Sequence, residues 1–171
     1  MSHPEIETGL EPVPLGLEDL EEVGPLVGII VGSESDREAM DPAVTELEER
    51  GISYEFLVLS AHRDPRGVAE YASTAVLRGV RVIIAGAGMA AVLPGAVAAY
   101  TELPVIGVPL ISSKSVMGGL DALLSIVQMP PGVPVACVSV NGSRNAAILA
   151  SRILAQGGGY PGPRGRPTLE L

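Results

Sequence analysis

The sequence predicts an α/β protein: a five-stranded parallel sheet of flavodoxin-like order inside a three-layer α/β/α sandwich. Three observations predict it. Five short apolar runs rich in Val and Ile recur along the chain, and each is followed by a stretch with helical periodicity. Apolar residues make up 47% of the chain but aromatic ones only 3%, with no Trp. The core must therefore be built from Val, Ile, Leu and Ala, which suits strands buried on both faces under small-residue helices. Strand and helix alternation then selects right-handed crossovers with helices on both sides of the sheet.

The elements follow in order. The first strand is Leu26–Val31, and Ser35 opens a helix whose spacing to Glu38 is that of a capping box. Met40, Val44 and Leu47 supply its apolar stripe, and Gly51 closes it. The second strand is Tyr54–Leu59. Asp64 and Pro65 form an N-cap and first-turn pair for a helix running to Arg78, with Gly79 at its end. The third strand is Val80–Ala85, and the turn Gly86-Ala87-Gly88 leads to an Ala-rich helix around Pro94–Tyr100. The fourth strand, Val105–Val108, is followed by a polar loop at Ile111–Gly119 and a short helix at Leu120–Val127. The fifth strand is Val135–Val140, and Asn145–Ala155 is the closing helix.

At 171 residues the chain suits one domain, at 26–155. Residues 1–25 read as an acidic flexible leader, with a short helix expected at Leu15–Val23, and 156–171 as a Gly/Pro-rich tail. The net charge of −9 belongs mostly to the leader, which holds seven acidic residues and no Lys or Arg. From position 26 onward 13 acidic residues face 11 basic ones, so the folded part is nearly neutral. No basic stripe with interleaved aromatics points to nucleic acid, and no apolar run reaches the roughly 20 residues of a membrane span. The apolar excess is expected to be buried between subunits. Without a signal-peptide pattern, cytoplasmic residence is the default. The single cysteine, Cys137, sits in an apolar run and reads as a buried structural thiol.

Three loops at strand carboxyl ends carry the chemistry. Ser33 and Ser35 place hydroxyls beside the N–H groups opening a helix, a natural phosphate site. Asp36 in the same turn would repel a purely anionic ligand but suits a sugar diol, although N-capping alone accounts for much of this pattern. In the second loop, Ser60 and Ala61 lead into His62, which can exchange a proton near neutral pH, and Arg63, which can grip phosphate bidentately. In the third, the glycines of Gly86-Ala87-Gly88 let backbone approach a ligand closely, for instance a carboxylate or CO2. That run lacks dinucleotide-fingerprint spacing, and Lys114, the only lysine, stands in no Walker motif. His62 has no His or Cys partner at ligand spacing, so no metal site is expected.

From about Val27 to Ala155 the chain resembles the N5-carboxyaminoimidazole ribonucleotide mutase family. The resemblance rests on Val27–Asp36, Ser60–Arg63, Val82–Gly88, Leu93–Gly95, Leu103–Pro109, Gly119–Asp121, Leu124–Pro130 and Asn145–Ala147, in the family's order. It implies a three-layer α/β/α homo-octamer with sites shared between subunits, working without metal or organic cofactor. It also implies movement of a carboxylate from the exocyclic nitrogen of an aminoimidazole ribonucleotide to ring carbon four, through bound CO2. Carried over, Ser35 and Arg63 hold phosphate, Ser33 and Asp36 hold the ribose, and His62 moves the proton. Gly86, Ala87, Gly88, Met89 and Ala90 line the CO2 pocket, and Ser60 is a further substrate-binding residue. The family's third loop usually reads Gly-Ala-Gly-Gly-Ala-Ala-His-Leu-Pro-Gly. Here Met89 replaces its third Gly and Val92 replaces the His, and Ile111–Gly119 is about two residues longer than usual. These departures leave an alternative open: a carboxylase or decarboxylase of the same fold acting on another substrate.

Overall fold

The computed structural model describes residues 24–156; the leader, its expected helix and the tail lie outside the described residues. Five parallel strands form one sheet: β1 (Val27–Val31), β2 (Tyr54–Val58), β3 (Val82–Gly88), β4 (Val105–Leu110) and β5 (Ala136–Cys137). Their order is β2-β1-β3-β4-β5, the flavodoxin-like order expected. Five α-helices cover the sheet: α1 (Arg37–Glu49), α2 (Pro65–Thr74), α3 (Leu93–Ala98), α4 (Leu120–Val127) and α5 (Ser143–Gln156).

Alternation along the strands divides the core between the two faces. Val27, Ile29 and Val31 of β1 pack with Met40, Ala43 and Leu47 of α1 and with Ala146, Ala147 and Ala150 of α5. Ile30 joins the other face, with Val68 and Tyr71 of α2, Val97 of α3 and Ile126 of α4. Small residues allow close approach: Gly28 of β1 faces Tyr71, and a Cβ there would lie 2.0 Å from the Tyr71 Oη. A buried carboxylate ties α1 to α5. Glu46 accepts from Arg50 Nε at 2.7 Å and from Arg144 Nε at 2.6 Å. Burial pushes this carboxyl up, but the two arginines outweigh it and hold it below the usual range.

Several boundaries depart from the sequence reading. Gly86-Ala87-Gly88 is not a turn but the end of β3, because Ala87 and Gly88 pair with Pro109 and Leu110 and so extend β4 as well. The chain turns instead at Met89, with φ of 56°. The expected capping box at Ser35 does not form. Ser33 caps a 3-10 turn at Glu34–Asp36, and α1 starts only at Arg37. The helix after Asp64 tightens to a 3-10 turn at Ala75–Arg78 and ends on Gly79, at φ 99°.

β5 is far shorter than Val135–Val140. It pairs only through Ile106 and Gly107. The Pro109 carbonyl accepts from Asn141 N on that side at 2.8 Å, where proline has no N–H to continue a ladder. Cys137 at this edge is half-buried rather than buried, its Sγ 3.3 Å from the Val138 carbonyl, and burial raises its thiol pKa. Among the described residues no helix is long and apolar enough to cross a membrane, and no cluster of His, Cys, Asp or Glu is placed to hold a metal.

Candidate active site

β1 and β3 are neighbours in the sheet, but the chain leaves β1 for β2 on one side and reaches β3 on the other. This reversal opens a crevice at the carboxyl ends of the strands. A cavity of about 350 Å3 lies there. Its lining includes Ser33 and Asp36 after β1, Ser60, His62 and Arg63 after β2, and Ala87, Gly88, Met89 and Ala90 at the end of β3. The three loops singled out in the sequence therefore meet in one place. A larger hollow of about 850 Å3 lies at the amino ends of β4 and β5, but no imidazole or guanidinium faces it.

Each polar side chain is positioned by its loop. The Ser33 Oγ accepts from the Ser35 N–H at 3.3 Å and from the Ser35 hydroxyl at 2.9 Å. With both acceptor positions used, its own proton is left to donate outward. Asp36 is set by the bond from its N–H to the Ser33 carbonyl, at 3.0 Å. Its carboxyl pKa is raised by burial, the opposite of what a neighbouring cation would do. The turn after β2 closes through Ser60, whose carbonyl accepts from Arg63 N at 3.1 Å and from Asp64 N at 2.7 Å. Asp64 then caps α2 by accepting from Gly67 N at 2.9 Å, with Pro65 in the first turn as expected. The Arg63 guanidinium donates to the Gly32 carbonyl at 3.0 Å and so links the first two loops. His62 is exposed on this turn, and no described side chain hydrogen-bonds to it. Its imidazole is free to meet a ligand.

Two expected residues stand apart from the cavity. Ser35 touches it only through Ser33. Gly86 lies deeper in β3, opposite Val31, where an added Cβ would come 2.8 Å from the Met40 Sδ. Its missing side chain serves the core. Gly32, Ala61 and Leu93 line the cavity without having been given a role; each lies inside a segment that carries the family resemblance, and that was the only signal. Val92 lines it too. Met89 and Val92, each 46% exposed, give that side of the cavity an apolar wall.

The AIR carboxylase family model matches residues 26–158. The chain belongs to that family. It is 59% identical over 131 residues to the N5-carboxyaminoimidazole ribonucleotide mutase of Pyrococcus abyssi, covering 77% of this chain and 74% of that protein. The mutase of Thermotoga maritima is 58% identical over 130 residues, covering 76% of this chain and 75% of that protein. Among solved structures, Treponema denticola PurE superposes with a TM-score of 0.65 at 32% identity, over 77% of this chain and 81% of that one. The family segment spans the sheet, its helices and the three loops around the crevice.

Proposed function

We propose that this protein is an N5-carboxyaminoimidazole ribonucleotide mutase of de novo purine biosynthesis. It would move a carboxylate from the exocyclic nitrogen of its substrate to ring carbon four. The observation that carries this reading is the convergence of hydroxyls, a carboxylate, a guanidinium and one imidazole on a single cavity. The high identity to curated mutases supports the same assignment.

In this reading Arg63 holds the phosphate, Ser33 and Asp36 bind the ribose hydroxyls, and Ser35, which lies outside the lining, supports the phosphate end through its hydrogen bond to Ser33. That orientation carries the imidazole ring toward His62 and the Ala87–Ala90 segment. As the nitrogen–carboxylate bond breaks, its electron pair stays on nitrogen, which takes a proton from the His62 imidazolium. The CO2 released is held against the backbone of Gly88–Ala90. Carbon four then forms the new carbon–carbon bond, and its hydrogen leaves as a proton to the neutral imidazole. One histidine balances both proton transfers, so no co-reactant is required.

Self-association as a homo-octamer and cytoplasmic residence complete the proposal. The support for self-association is the exposed apolar surface, with Leu77 82% and Met117 78% accessible in the single chain. The apolar wall of Met89 and Val92 favours a second reading, a carboxylase or decarboxylase of the same fold acting on another carboxylic acid. A spectrophotometric assay with N5-carboxyaminoimidazole ribonucleotide separates the two. Formation of the carbon-four carboxylate supports the mutase, and its absence from folded protein favours the second reading.

A further inference from the structure

Three non-glycine residues among those described have positive φ: Met89, Met117 and Asn141. Asn141 suits that conformation, and its side chain accepts from Ile111 N at 3.0 Å. Met89 has no such reason. Its φ of 56° lies where long side chains rarely go, and at 46% exposure it gains little from burial. The surroundings pin it there. Gly88 is fixed in the sheet opposite Leu110, and a Cβ on Gly88 would come 3.0 Å from the Leu110 carbonyl. On the other side the Ala91 N–H bonds back to the Met89 carbonyl at 2.9 Å, and Ala91 and Leu93 are buried. Strain held in place beside a cavity points to a use for the side chain.

The cavity has two unlike sides. Ser33, Asp36, Ser60, His62 and Arg63 are polar, whereas Ala87, Met89, Val92 and Leu93 are apolar. A ligand that puts a sugar phosphate on the polar side must lay its remaining part along the apolar one. A polarizable thioether is well matched to the face or edge of a planar ring. We propose that Met89 is the specificity-determining contact for the ring of the ligand. It would separate a ring-bearing ribonucleotide from a bare sugar phosphate. This rests on the reading of the site given above and goes beyond it in naming the residue that reads the ring.

The test is calorimetric titration with two probes, aminoimidazole ribonucleotide and ribose 5-phosphate. The proteins are the wild type, Met89→Gly, Met89→Asn and Met89→Leu. Glycine and asparagine both tolerate the left-handed backbone, so those variants keep the fold and lose only the thioether. The wild type should prefer the ribonucleotide. Met89→Gly and Met89→Asn should weaken that ligand about five- to tenfold. Ribose 5-phosphate should change by about twofold or less, because it makes no ring contact. Met89→Leu should keep most of the preference, and Met89→Gly should melt no lower than the wild type. Unchanged ribonucleotide binding in the Gly and Asn variants would overturn the role of Met89. So would an equal loss for both probes, which marks a backbone effect. A wild type without preference for the ribonucleotide would overturn the functional reading itself, and this inference with it.

Discussion

Asp36 shows how a binding site acts on folding at the scale of one residue. Burial raises its carboxyl, so folding favours the protonated form. The resulting stabilisation is complete below the unfolded value of 3.8 and is lost as pH rises through the raised folded value. Asp36→Asn removes that titration. Its melting temperature should match the wild type below pH 3.8 and exceed it at pH 7, while ribose 5-phosphate binds more weakly. A variant less stable than the wild type at pH 7 would show that the carboxylate has a favourable partner in the free protein. The sequence already marked Asp36, His62 and Arg63, because a carboxylate, an imidazole and a guanidinium at neighbouring strand ends together suit a sugar-phosphate ligand, although N-capping alone accounts for much of the pattern around Asp36. It could not mark Gly86 correctly, since a glycine that admits Met40 and one that admits a ligand read alike in sequence.

At the scale of elements, close approach between β1 and α2 depends on Gly28. A Cβ at that position would meet the Tyr71 Oη, which is itself buried without a hydrogen-bond partner among the described residues. Gly28→Ala should cost about 1–3 kcal/mol in urea unfolding through overpacking. Tyr71→Phe removes the unpartnered hydroxyl and should be neutral or stabilising by about 1 kcal/mol. Because the two sites touch, the double variant should recover part of the Gly28→Ala loss. Strict additivity would contradict the contact. Helices and central strands were legible because periodicity and burial agree there, as in the alternation of β1 between the two core faces. β5 was not, because its apolar run reports burial, while its pairing is limited by Pro109 on the neighbouring strand. The true end of β3 was also hidden: glycines suggest a turn until Ala87 and Gly88 find Pro109 and Leu110 across the ladder.

For the whole molecule, the strand order places three separate sequence segments around one crevice, and this was foreseeable once the flavodoxin-like order was chosen. The surface was less legible, because apolar content does not say where the excess lies. It lies at both ends of the sheet, with Val76, Leu77 and Tyr100 towards the amino ends and Met89, Ile111 and Met117 at the carboxyl ends. Light scattering of the full chain should give eight chain masses at micromolar concentration. A stable monomer would leave that surface unexplained. Whether this crevice is a mutase site with His62 as its proton carrier is decided by one comparison. Turnover of N5-carboxyaminoimidazole ribonucleotide should be measured for the wild type and for His62→Asn, with melting curves for both. The expected result is wild-type formation of the carbon-four carboxylate and a loss of at least about 100-fold in the variant, at unchanged melting temperature. Equal turnover by the two proteins would contradict the account.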